Sequence, residues 1–262
     1  MKRLVIGLLV LIVVLVAADF GAAAVAESAV SRQMRSQLNL ADDPSVRVNG
    51  FPFLTQALAG EYGSIDVEAQ RLSVGQLDEL TVRVQLRNVS APLSMLLGSG
   101  PKTIAVQSAE GTVRIPANAV EGLIPKVQKL RIEPIDDFAL QQAIDDGADV
   151  SLGDLDPDLA VRLVGTTSLL GQSTEVAVIA VMELVDGRIR IEPQDVKADG
   201  SSASALPPDV RRELKQVFTL TLDPGALPLQ VTPSRLQAVD GALELSGRAR
   251  DLDLGAVATP GG

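Results

Sequence analysis

Cysteine, histidine and tryptophan are absent from the 262 residues, and the aromatic stock is five Phe and one Tyr. Without thiolate or imidazole, triads that use Cys or His, thiolate zinc sites, haem attachment and disulfide frameworks are excluded. Hydrolysis by carboxylates alone survives. Basic residues are also scarce, with 23 Lys plus Arg against 33 Asp plus Glu and a formal charge of −10. Nucleic acid needs a basic surface for phosphate and rings for stacking, so it is excluded as a partner. What the chain does have is aliphatic: 46% of residues are hydrophobic, too many for an acidic disordered chain and enough for one large core.

The N-terminus carries an address. Met1, Lys2 and Arg3 precede an unbroken apolar run over 4–18, the pattern of an export signal. The run is short for a bilayer span and Asp19 interrupts it. Small residues at Ala22, Ala24 and Ala26 offer cleavage sites, so a cleaved signal and an uncleaved anchor both fit, with 1–24 as the segment concerned. Either way the basic end stays inside and the body is exported, to the periplasmic space or the outer side of the cytoplasmic membrane.

From Ala23 the positions Ala26, Val30, Met34 and Leu38 step by three or four, which predicts an amphipathic helix with Glu27, Arg32 and Arg35 off the apolar stripe. After Asp42, Asp43 and Pro44 the period changes to 2. Ile65, Val67 and Ala69, then Leu80, Val82, Val84 and Leu86, alternate with polar residues as strands with one wet face do. Glu110-Gly111, Asp186-Gly187 and Asp240-Gly241 each sit between strand-like segments and predict three hairpins. Short helices are expected over 116–124, 136–146 and 207–218. The sum is one α+β domain over 25–254, followed by a flexible tail of Gly and Pro at 255–262.

Residues 176–182 differ in kind, because Val176, Val178, Ala180 and Met182 on one face and Ala177, Ile179 and Val181 on the other are all apolar. Such a strand needs cover on both faces. It is either the centre of a packed core or a wall of a channel for acyl chains. Leu93, Met95, Leu96 and Leu97 form a second apolar run, between Pro92 and Gly98, that either plugs a barrel end or touches membrane. Phe51, Phe53 and Tyr62 concentrate half of the scarce rings in one corner, a packing site or a lipid contact. Arg211, Arg212 and Lys215 oppose the apolar face of the 207–218 helix and are candidates for lipid headgroups, or simply a solvated face.

Motifs for chemistry are weaker. Nine carboxylates fall between Glu133 and Asp158, and Asp154, Asp156 and Asp158 start a calcium-type loop. Leu159 stands where that loop needs Gly, and Gly165 where it needs a bidentate Glu. Ser99-Gly100-Pro101-Lys102 matches S-x-x-K, but its Gly and Pro oppose the helix that motif requires. No catalytic residue, metal ligand or cofactor site is assigned.

Val46 to Gln56, reading V-R-V-N-G-F-P-F-L-T-Q, is followed by a small helix and Gly60-Glu61-Tyr62. With the closing run from Leu227-Pro228-Leu229 to Ala249, this pattern resembles the LmeA-like phospholipid-binding family over about residues 25–254. The resemblance implies a tubular lipid-binding fold, in which a strongly curved antiparallel sheet wraps a helix and leaves an apolar channel. It also implies an exported bacterial protein that binds phospholipid and is linked to assembly of mannose-based lipoglycans. The expected partners are phospholipid, the membrane surface and lipoglycan assembly enzymes. In that frame Phe51, Phe53, the 93–97 run and one face of 176–182 contact acyl chains, and a local basic rim holds any anionic headgroup. An envelope scaffold that carries no lipid, and a carboxylate-based glycolipid hydrolase or transferase, are the competing functions.

Overall fold

One long helix, α1 (Lys2–Leu38), opens the chain in the computed structural model, which describes residues 2–91, 103–169, 172–198, 206–224 and 232–255. The 93–97 run, Ser99 to Lys102, Leu227 to Leu229 and the tail beyond 255 lie outside the described residues. Helix α1 is rich in Ala, Leu and Val with no Pro, so it runs unbroken through Ala24, where the sequence predicts a boundary.

Among the described residues eleven strands form two antiparallel sheets. The first holds β1 (Ser45–Asn49), β2 (Glu61–Val74), β3 (Leu77–Ser90), β4 (Thr103–Pro116), β10 (Thr232–Val239) and β11 (Ala242–Gly255), in the order β1-β2-β3-β4-β11-β10. The second holds β5 (Val127–Pro134), β6 (Ala160–Leu169), β7 (Gln172–Val185), β8 (Arg188–Ala198) and β9 (Leu220–Leu222), paired in sequence order. Helices α2 (Phe53–Ala59), α3 (Ala117–Glu121), α4 (Asp137–Asp145) and α5 (Pro208–Val217) complete the elements used below. The class is the expected one: α+β, with a strongly curled antiparallel sheet and an N-terminal helix.

The curl has a local cause. Gly63, Asn88, Gln107 and Asp251 lie in line across β2, β3, β4 and β11, between the paired residues on either side. Asn88 and Asp251 have φ of 50° and 52°, left-handed values that bend a strand, and the Asn88 amide bonds Gln107. Along this crease the inward set shifts by one residue in every strand. Leu80, Val82, Val84 and Leu86 give way to Val89 and Ala91; Ile104 and Val106 to Ala109, Val113 and Ile115; Leu243, Leu245 and Ala249 to Leu252. One face therefore stays apolar on both sides of the bend.

Three expectations change. Gly111 is in mid-strand, opposite Val84 and Gly247: β4 runs through the predicted hairpin, because both neighbouring strands supply ladder partners there. The other two turns form as expected, at Asp186-Gly187 and Asp240-Gly241. On α1 the side facing the body is Asp19, Ala22, Ala23, Ala26, Glu27 and Ser31, whereas Val30 and Leu38 are exposed. Glu27 thus faces the body because a strand N–H awaits it, as shown below. On α4 the buried residues are Leu140 and Ala143, and Phe138 is exposed.

Candidate functional site

The concave face of the six-stranded sheet is one apolar trough with a different cover at each end. Beyond the crease, Tyr62, Val89, Val106, Leu252 and Phe53 pack against Ala22, Ala23 and Ala26 of α1. At the other end, Leu80, Val113, Ile115, Leu243 and Leu245 meet the inner face of the five-stranded sheet, with Leu214 and Phe218 at α5.

The helix end is fixed by polar contacts that sequence reasoning missed. Asp19 is 5% exposed, and its two carboxylate oxygens accept the backbone N–H groups of Phe53 and Leu54, both at 2.8 Å. These are the first donors of α2, whose own preceding residue, Pro52, has no side chain to cap them. Glu27 accepts the Val48 N–H at 2.8 Å, and the Ser31 hydroxyl donates to the Pro44 carbonyl at 2.6 Å. The signal available in the sequence was Asp19 itself, a lone acid beside an apolar run. Gly50 closes the corner: at φ +110° a β-carbon there would stand 2.8 Å from Gln56 Nε2. The Gln56 side-chain oxygen in turn accepts the N–H of Gly63, on the crease.

The predicted lipid residues divide between the two ends. Phe53 is buried against α1, whereas Phe51 is 61% exposed and stacks on Phe20 with ring centroids 6.0 Å apart. Leu54 and Leu58 on α2 are exposed beside them in sequence. Val176, Val178, Ala180 and Met182 come together at the opposite end, each 0% exposed in the core between the sheets. The other face of that strand is covered too, with Ile179 against Ile135, Leu140, Ala143 and Leu152. A groove of about 410 Å³ begins where this strand ends, lined by Leu159, Met182, Leu184, Val185, Arg235 and Leu236 among others.

The basic trio is not equivalent. A bulge between β7 and β8 falls at Gln194, leaving its backbone without a ladder partner, and Lys215 Nζ donates to that carbonyl at 2.6 Å. Lys215 therefore does a structural task. Arg212 is exposed, and Arg211 Nε is buried with no hydrogen-bond partner among the described residues.

Three of the nine acids between Glu133 and Asp158 are spent on chain geometry. Asp136 accepts the Ala139 N–H at the start of α4, Asp149 the Ser151 N–H, and Asp156 the Asp158 N–H. The bonds from Ser151 hold the Asp149 carboxyl below its ordinary range. Among the described residues no group of three or more acids is placed to hold a metal ion. The outer face of the six-stranded sheet is polar: Arg83 bonds Glu68 and Gln85 bonds Asp66. Hydrogen bonds from Gln70, then Arg83, hold the Glu68 carboxyl below its usual range.

A family model described as LmeA-like phospholipid-binding matches residues 17–248. No curated protein and no solved structure matches the chain.

Proposed function

The chain belongs to the LmeA-like phospholipid-binding family, and from that premise we propose that it is a noncatalytic carrier that holds acyl chains in the interior of its tube. It works in the bacterial cell envelope, at the membrane surface, and supports assembly of mannose-based lipoglycans by supplying or sensing lipid for the assembly enzymes. The observation that supports this reading is the trough: one apolar face continues through the crease, from the contacts with α1 to those with the five-stranded sheet and α5.

Entry is at the 410 Å³ groove, a size within the range of about 300–1,000 Å³ typical of small-molecule sites. An acyl chain threading past Met182 meets Ala180, Val178 and Val176 in turn, each buried methylene contributing about 0.8 kcal/mol. At the helix end, Phe51 and Phe53 contact lipid, and Leu93, Met95, Leu96 and Leu97, which lie outside the described residues, are further acyl contacts by their apolar sequence. Arg211 and Arg212 are the headgroup contacts, with Lys215 holding the bulge beneath them. A net charge of −10 repels anionic lipid at long range, so the headgroup must be captured by such a local rim.

The complete burial of Val176, Val178, Ala180 and Met182 on the inner face, with Ala177 and Ile179 buried behind them, favours a second reading, a scaffold whose interior is only core. Native mass spectrometry of the full chain after incubation with an envelope lipid extract separates the two. Bound phospholipid at a defined stoichiometry is the expected result; none above background would overturn the carrier reading.

A further inference from the structure

The N-terminal helix and the corner around Phe51 make a surface that neither the trough nor its cargo explains. Over residues 4–15 the helix has solvent on every side, with Leu4 80% exposed. A helix apolar all round is stable only when covered. At about 1.5 Å per residue, the 17 residues from Leu4 to Phe20 reach about 25 Å, the short end of a bilayer span. The basic pair Lys2 and Arg3 stands at the far end. The obstacle to a span was Asp19, a charge where the helix should leave the lipid. In the fold that charge is turned inward onto two backbone N–H groups.

The apolar surface does not stop at the helix. Phe20, the residue after Asp19, stacks on Phe51, and Leu54 and Leu58 extend the exposed apolar surface onto α2. Exposed Phe and Leu beside the end of an apolar helix suit shallow insertion at the boundary between headgroups and acyl chains. The family match starts at residue 17, so it takes in Asp19 and the docked half of α1. Cleavage after Ala24 would remove Asp19, Ala22 and Ala23, strip α2 of its cap and uncover Phe53.

We infer that α1 is retained as a membrane anchor, locked to the body by Asp19, and that Phe20, Phe51, Leu54 and Leu58 form a lip seated in the bilayer interface. This rests on the membrane-facing part of the function proposed above but not on lipid occupancy. An empty trough in native mass spectrometry leaves it standing.

The test uses the full chain expressed in a bacterial host. Intact mass should show the chain kept from Met1, and the protein should stay with membranes through a carbonate wash. A mature N-terminus at Asp19 or beyond, or a soluble protein, would overturn the anchor. The chain has no Cys, so Leu58→Cys can carry a single environment-sensitive fluorophore. In vesicles of phosphatidylethanolamine and phosphatidylglycerol its emission should shift to the blue, and that of Val150→Cys, another exposed apolar site, should not. Equal emission from the two would overturn the lip.

Discussion

The first half of α1 and the inner part of β7 are made of the same aliphatic residues, and the fold gives them opposite surroundings. Residues 176–182 are flanked by β6 and β8, covered outside by α4 and inside by the six-stranded sheet and α5. Residues 4–15 have no cover among the described residues. The difference is not in hydrophobicity but in which polar atoms stand nearby. Beside β7 the backbone ladder satisfies its neighbours except at the Gln194 bulge, where Lys215 supplies the missing donor, so apolar cover is nearly all that is needed. Beside the helix, Asp19, Glu27 and Ser31 bond backbone groups of the body, and these contacts mark where protein cover begins and lipid cover ends.

The comparison is broken most directly by putting a charge into each region. Met182→Asp buries a carboxylate among apolar groups with no partner, a cost of several kcal/mol, and circular dichroism should show loss of the cooperative melt. Leu11→Asp should leave the melt of the body unchanged and weaken membrane retention. Equal effects on the melt would erase the distinction.

Next in size is Gly165→Ala on β6, whose β-carbon would lie 2.6 Å from Val127 Cγ1. Overpacking of about 1–3 kcal/mol is expected in a sealed interior. A variant as stable as the parent in urea titration would mean that the five-stranded sheet has the slack a channel needs. Asp19→Ala should follow, at about 1–2 kcal/mol for a lost cap, read as a lower melting temperature. Phe51→Ser with Leu58→Ser should change stability by less than about 0.5 kcal/mol per exposed site, while reducing flotation with vesicles of the chain lacking residues 2–18. The smallest effect is on the polar outer face. The Glu68 carboxyl is held low by Gln70 and Arg83, so its stabilisation is present above the unfolded value of about 4.3 and lost as pH falls through the lower folded value. Glu68→Gln should flatten that acid limb of the stability curve by no more than a few tenths of a kcal/mol.

Much of this fold was legible because period-2 patterning reports burial directly. The β3 alternation from Leu80 to Leu86, the doubly apolar β7 and the α5 helix with Leu214 and Phe218 inward all came from side-chain spacing. Glu110-Gly111 misled because Gly after an acid, between apolar runs, is written like the turn at Asp186-Gly187. Only partner strands distinguish them, here β3 at Val84 and the distant β11 at Gly247. Glu27 misled for another reason: a stripe of apolar residues describes packing, and the docked face of α1 is set partly by hydrogen bonds. For the candidate site, the sequence located the apolar faces and the basic trio. It could not show that Lys215 is engaged by a bulge carbonyl, since bulges leave no spacing signature.

The crease at Gly63, Asn88, Gln107 and Asp251 turns the trough into a parity check on the chain. In each of the four strands, residues facing inward change from odd to even numbers or back at that line, and all four change together. Deleting one residue from β3 between the crease and Leu80 would restore a single parity there, and with it send Leu80, Val82 and Val84 outward against unaltered neighbours. The same deletion in the loop joining α1 to β1 would change no parity in any of the four. Insertions and deletions tolerated by this fold should therefore fall outside the creased strands, or arrive there in compensating pairs.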